Sequence, residues 1–575
     1  MQKDLLLGID AGGTHTDAVL LEIDGGAPRL VARAKAPTRH DDLPGSISEV
    51  LDALCGGAGE SRLASVTAVT LGTTLIVNAL VQGKADEVGL LLTAGPGLSP
   101  ERFTLGRHWR VLEGGLDHRG TEVVPLDGRE LAALPGIVDR WRVAGVSALA
   151  CVGKFSPRNP AQEKAVAQAA EKAGLPVTMG HRLSGRLNFP RRIATAYYNA
   201  AVGRLHASFL DAVEKVLAEK GVSARIRLLK ADGGAVPATL SREEPVRSIL
   251  SGPAASAMGV MAMDRTLDRG VSLLLDMGGT TTDIAVFIDG SPVVDRDGML
   301  LDGRRTLVRA LATDSIGVGG DSLISVSGDG DAAAVSTGPL REGPAMAFGG
   351  KRPTLLDALN LLDHSAGLNT ENRGDIASSL HGIEAFAKLH NLAPEALAKQ
   401  AVDDALAHVR QAASALLDRL SDHPVYTLAA LRAAGRIAPD RVLLVGGPAA
   451  CIRTRIAKAF GLPVVLPPDA DVANAVGAAL TLPTASLEIY ADTSRARLRA
   501  PSLDHEEPLG RGFTLEAAKK RAMELLTAHM AASGAQGAQV EVTEADIFAT
   551  LDDGGRGSHD IRVSCQAVPG IAGRL

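Results

Sequence analysis

Two short stretches contain the residue types from which a phosphate grip is built. Residues 7–25 read LGIDAGGTHTDAVLLEIDG, and residues 273–290 read LLLDMGGTTTDIAVFIDG. In each, an apolar run ends in a carboxylate, Asp10 or Asp276. A Gly-Gly-Thr turn follows, and then a second apolar run headed by Asp17 or Asp283. Glycine lets a ligand approach the main chain, and turn N–H groups with threonine hydroxyls hold phosphate oxygens. The phosphate-binding candidates are therefore Gly12, Gly13, Thr14 and Thr16, with Gly278, Gly279, Thr280 and Thr281. A strand-end carboxylate can carry Mg²⁺ through water while the turn carries phosphate, which points to Asp10 and Asp276. Asp17 and Asp283 either join them or bond turn N–H groups. Either copy alone also reads as a plain tight turn, but the same composition twice in one chain argues for more. Two such hairpins facing one another can clasp a triphosphate from both sides.

Other nucleotide signatures fail. No GxxxxGK[ST] occurs, and GVGGDS (317–322) lacks the last glycine of GxGxxG. His15 reads as an exposed spacer. A chain of 575 residues exceeds one ordinary core, so two or more domains are expected. Its 60 basic and 66 acidic residues give a net charge of −6 without a basic run. That argues against nucleic acid or an anionic membrane as partner. Cys55, Cys151, Cys451 and Cys565 show neither CxxC nor Cys/His spacing, so no zinc site or disulfide framework is expected. A reducing cytoplasm is the default compartment. The first residues enter a strand at once, so no signal peptide is expected. No apolar run approaches the roughly 18 residues of a membrane span.

The elements that must position these residues alternate. ASVTAVTLGTTLIVNALVQG (64–83) is strand, turn and helix. EVGLLLTAG (87–95) and VSALACVG (146–153) are buried strands, and 159–174 is helical. A long helix covers 193–221, and ARIRLLKADGGAV (224–236) adds a strand and turn. After the second hairpin come helical segments at 354–363 and 394–420, then strand–turn–helix units at 440–461 and 462–482. Such alternation predicts α/β layering with partly parallel sheets. From about 486 the tail reads as strand, helix and two more strands, with GAQGAQ (534–539) as its internal loop.

The paired hairpins resemble those of the actin/Hsp70/hexokinase superfamily. GIDAGGTHTDAVL, GTTLIVNAL, EEPVRSILSGPAASAMG, LLDMGGTTTDIAVF, IGVGGDSL and PTLLDALNLL follow in one order. Together they narrow the resemblance to the hydantoinase A/5-oxoprolinase family over residues 3–483. The resemblance implies duplicated actin-like ATPase (ribonuclease H-like) α/β domains with ATP and Mg²⁺ in a central cleft. It places a first lobe at 1–200 and a second at 201–485, with a helical insertion around 354–425. A small α+β appendage occupies 486–575. It makes LLVGGPA (443–449), with Gly446 and Gly447, the adenosine-side loop and brings Gly319 and Gly320 to the phosphates. GTTLIVNAL (72–80) and DVANAVGAAL (471–480) become the hinge helices. Asp10, Asp276 and Asp314 are its catalytic candidates, with Asp314 either orienting substrate or water or forming a turn.

The activity so implied is ATP-driven ring opening of a cyclic amide by phosphorylation of its carbonyl oxygen. A second hydrolase subunit and a homo-oligomer are both left open. An ATP-driven conformational activator and a small-molecule kinase are the alternatives. Several family stretches are altered: the usual QSNGG is KADGG (230–234), and a Gly/Pro-rich segment is shortened to GPLREGPAMAFGG (338–350). The usual β-rich C-terminus is expected to be replaced by the tail. The ATP-holding elements are thus better preserved than the substrate-holding ones.

Overall fold

The computed structural model describes residues 4–39, 41–58, 60–295, 298–328, 333–366, 373–422, 437–533, 535, 539–551, 555 and 557–575. Strand Asp4–Ala11 turns back through the first glycine pair into His15–Asp24, with Asp10 opposite Asp17. On its other side it runs parallel to Ala68–Thr73, which is parallel in turn to Arg225–Leu229. The second sheet repeats this frame. Val271–Met277 is antiparallel to Thr282–Ile288, with Asp276 opposite Asp283, and parallel to Arg441–Val445. These strands are apolar nearly throughout because both faces are covered.

In the first lobe, helices Leu43–Ala58 and Phe189–Glu219 cover one face through Ile47, Leu51, Leu210 and Val213. Helix Ala473–Leu480, from the far end of the chain, covers the other against Val19 and Leu21. In the second lobe, helices Leu355–Ser365, Ile376–Leu389 and Pro394–Ser421 pack on Leu273, Leu275 and Ile284.

The domain boundaries move. Arg225–Leu229 and Ala235–Pro237 hydrogen-bond into the first sheet, so that lobe does not end at 200. It runs to helix Ser251–Met263, and the second sheet opens at Val271. Between the first-lobe strands sits an inserted unit, a five-stranded sheet running from Glu87–Ala94 to Val177–Met179 with helices Gly128–Val143 and Ala161–Glu171. The C-terminal unit is an antiparallel sheet of five strands, two of them (Arg497–Ala500 and His505–Pro508) beyond those expected. Helix Leu515–Ala532 packs on it. GAQGAQ lies outside the described residues apart from positions 535 and 539.

The lobes are joined by two helices that cross at small residues, but the pair is not the expected one. Ala473–Leu480 packs on Ser251–Met263, whereas Leu75–Val81 packs on Phe189–Glu219. A Cβ at Gly259 would lie 2.1 Å from Ala473 O, and one at Gly477 would lie 2.1 Å from Ala255 O. The Ala-x-x-x-Gly spacing on each helix lets the backbones touch. SGPAAS (251–256) is therefore half of the joint between lobes.

Candidate functional site

The two hairpins meet tip to tip. Thr14 Oγ1 lies 3.0 Å from Thr280 Oγ1, and these residues hold the same place in the two copies. Both turns close alike: Gly12 N–H donates to His15 O (3.1 Å) and Gly278 N–H to Thr281 O (2.9 Å). The tips are too close for larger side chains. A Cβ on Gly279 would sit 2.8 Å from Thr14 Oγ1 and 2.6 Å from Asp321 Oδ2.

Below the tips lie two cross-strand carboxylate pairs. Directly opposed residues share one face of a sheet, so Asp10 stands beside Asp17 and Asp276 beside Asp283. Burial, then the charge of Asp17, raises Asp10 to a pKa of about 7. Burial, then Asp276, raises Asp283 to about 7 as well. Asp17 and Asp276 are raised too, chiefly by burial. Compensation is uneven. Lys35 Nζ lies 2.7 Å from Asp17 Oδ1, reaching it from the next strand. Asp276 Oδ2 accepts from Ser256 Oγ and from Asn474 Nδ2 (3.2 Å), and the Asn474 amide also acts on Asp10, lowering its pKa against the effect of burial. Asp10 Oδ1 is buried with no hydrogen-bond partner among the described residues.

This surplus of negative charge fits a divalent cation. Mg²⁺ keeps several waters and takes one or two carboxylates plus phosphate oxygens. Asp10, with its unpartnered oxygen, and Asp276 are the carboxylates that could hold one, while no cluster of three or more His, Cys, Asp or Glu among the described residues forms a metal cage by itself.

The glycine loops gather at the second hairpin. Gly320 N–H donates to Gly278 O (2.9 Å) and Asp321 N–H to Gly279 O (2.7 Å). Gly446, at φ +98°, closes on the same strand end: a Cβ there would meet Met277 O at 2.2 Å and Asp276 Oδ1 at 2.7 Å. Gly447 faces open space.

Two candidates stand apart. Thr16 is buried with its hydroxyl on Thr38 Oγ1 (3.0 Å), so it braces strands and does not face the partner tip. Asp314 lies in strand Thr313–Ile316 opposite Ile284, on the face that packs against the helical insertion. Its carboxylate pairs with Arg419 Nη1 at 3.0 Å. It is neither among the cleft carboxylates nor in a turn. Its neighbour Ser315, opposite Asp283, is the residue that faces them. Neither Asp17 nor Asp283 takes the N–H of Gly12 or Gly278, which bonds backbone across its turn.

Lys35, Ser256, Asn474 and Asp321 were missed. Asp321 is held by Arg341 Nη2 (3.1 Å) and Ala345 N–H (3.0 Å), and burial raises its pKa. A polar residue interrupting a run of Ala and Gly was the available signal for Ser256 and Asn474. Lys35, on an edge strand of mixed pattern, offered none.

The caprolactamase subunit alpha of Pseudomonas jessenii is 29% identical over 385 residues, covering 61% of this chain and 53% of that protein. The 5-oxoprolinase 1 of Arabidopsis thaliana is 27% identical over 328 residues, covering 49% and 25%. The chain thus spans about half or less of these relatives' lengths. A nucleotide-free acetone carboxylase structure superposes with a TM-score of 0.70 at 18% identity, covering 98% of this chain and 88% of that one. That coverage takes in the C-terminal unit, so the tail is part of the shared fold and does not replace it. Residues 6–174 match the hydantoinase/oxoprolinase N-terminal region, and residues 192–486 match the hydantoinase/oxoprolinase domain. With duplicated hairpin lobes and a family match over most of its length, the chain belongs to the hydantoinase/oxoprolinase family.

Proposed function

We propose that this protein uses Mg-ATP to activate the carbonyl of a cyclic amide for hydrolytic ring opening. The observation that carries the reading is the contact of two equivalent Gly-Gly-Thr tips above two cross-strand carboxylate pairs, one in each lobe. Backbone N–H groups of Gly13 and Gly279, with the hydroxyls of Thr14 and Thr280, bind and align the phosphates, while Gly12 and Gly278, whose N–H groups close the turns, leave the main chain open to them. Asp10 and Asp276 hold Mg²⁺, which when bound offsets charge on the phosphoryl oxygens. Asn474, donating to Asp276, fixes the orientation of that carboxylate. Gly447 leaves the main chain open beside the nucleotide, and Gly446 lets that turn close on the end of strand Val271–Met277.

An amide is a poor electrophile, and positioning plus charge neutralisation is what such a cleft supplies. The amide oxygen attacks the γ-phosphorus and ADP departs. Water adds at the activated carbon, the ring C–N bond breaks with proton transfer to nitrogen, and a second water releases phosphate from the acyl phosphate. One ATP and two waters are consumed per ring opened.

A named relative is one subunit of its enzyme, which supports a partner subunit for this chain too. The described helices include none long and apolar enough to cross a membrane, and Cys151 and Cys565 are buried free thiols. Both fit work in the reducing, ATP-rich cytoplasm. The test is phosphate release from ATP across a panel of hydantoins, 5-oxoproline and larger lactams. At least one should stimulate release with matching ring opening. ATP turnover indifferent to every ring would refute the proposal, and a stable phosphorylated product would make the protein a kinase.

A further inference from the structure

The C-terminal unit and the inserted unit meet along a seam that encloses a cavity of about 390 Å³. Arg119, Arg158, Arg495, Arg497, Arg499 and Tyr490 line it. None of them belongs to the hairpins or glycine loops. The turn carrying Arg119 is preformed: Asp117 Oδ1 accepts from Arg119 N–H (2.9 Å) and Thr121 N–H (2.8 Å). Gly120, at φ +79°, lets this turn press on Arg158, since a Cβ there would lie 2.7 Å from Arg158 Cβ.

The charges around the cavity do not balance. Arg158 is matched, gripping Asp560 through two hydrogen bonds (2.6 and 2.5 Å) with its guanidinium 4.3 Å over the Tyr490 ring. Arg497 and Arg499 share a single carboxylate, Glu506, at 2.8 Å each. Arg495 has Asp492 only at 3.9 Å. Arg119 reaches Ser494 Oγ at 3.2 Å, and no ion pair to it occurs among the described residues. Five guanidiniums therefore face three carboxylates, which leaves two positive charges in a half-enclosed space. Burial, with Arg497 and Arg495 alongside, lowers the pKa of Arg499. This happens in a chain whose net charge is −6, so the excess is local. Guanidinium forks match carboxylate and phosphate oxygens, and the cavity falls in the size range of small-ligand sites.

We propose that this cavity binds a small dianion, a phosphate monoester or a dicarboxylate, outside the nucleotide cleft. Bound there, the dianion would bridge Arg119 of the inserted unit to Arg497 and Arg499 of the C-terminal unit and tie the two together.

The test is calorimetric titration of the full chain, with Mg²⁺ and ADP saturating the cleft. Inorganic phosphate is used in one arm and succinate in the other. One or both should bind at a further site with a dissociation constant of about 1 mM or tighter, and weaken as salt is raised. Arg119→Gln and Arg497→Gln should each weaken binding about ten- to hundredfold. Arg497 has a side chain 60% exposed, so its replacement spares the fold. ATP turnover of both variants should stay within about twofold of the parent. Preference for one arm identifies the ligand class. Absence of binding below about 10 mM in both arms overturns the proposal, and so does equal affinity in parent and variants.

Discussion

Replacing Asp10 by asparagine should destroy ATP turnover and yet stabilise the nucleotide-free protein. Asp10 is 4% exposed, and its pKa rises from 3.8 to about 7 through burial and the neighbouring Asp17 charge. A group whose folded-state pKa lies above its unfolded value holds extra protons in the folded state. Its penalty is therefore absent below pH 3.8 and complete above about pH 7. A shift of about three units at 1.36 kcal/mol each is roughly 4 kcal/mol. The new amide brings donors of its own to satisfy, an offset of about 1–3 kcal/mol. The net gain should be roughly 2 kcal/mol at pH 8, or about 4–8 °C in the midpoint of the lobe concerned. Thermal melts at pH 4, 6 and 8 measure it, and the gap between Asp10→Asn and parent should open as pH rises. Adding Mg-ATP should reverse the order, because only the parent gains ligand stabilisation. A variant no more stable than the parent at pH 8, or a gap independent of pH, would refute the idea that ligand-binding charge is stored here at the fold's expense.

Three further outcomes follow from the same geometry. Gly279→Val should reduce ATP turnover about a hundredfold or more with the circular dichroism spectrum unchanged, because a Cβ already meets Thr14 and Asp321 within 2.8 Å. Asp314→Asn should leave ATP turnover within about twofold of the parent, since its partner Arg419 lies on the insertion side; a large loss would return Asp314 to the catalytic group. Gly477→Leu should destabilise the protein by about 3 kcal/mol or more in denaturant melts, because its Cβ would sit 2.1 Å from Ala255 O.

Much of this molecule was legible before any coordinates. The two apolar–Asp–Gly–Gly–Thr hairpins, the strands 87–94 and 146–153 and the insertion helices at 354–363 and 394–420 are local patterns that carry their own periodicity, whereas helix Ile376–Leu389 between those two was not read. Helix Gly128–Val143 was not read, because Pro135 and Gly136 interrupt its pattern. Strand His108–Leu116 was hidden by glycines at 114 and 115 and by partly exposed positions.

The sequence by itself determined that two phosphate hairpins exist and which residues form their turns, because turn chemistry acts over a few neighbouring residues. The tertiary structure alone decided that Thr14 and Thr280 touch across 266 positions. It also decided that Asn474 donates to Asp276 across 198 positions, that Thr16 and Asp314 face away from the cleft carboxylates, and that helix Ser251–Met263 carries the joint. Which side of a strand meets which neighbour depends on register and packing between segments hundreds of residues apart, and no local pattern records it.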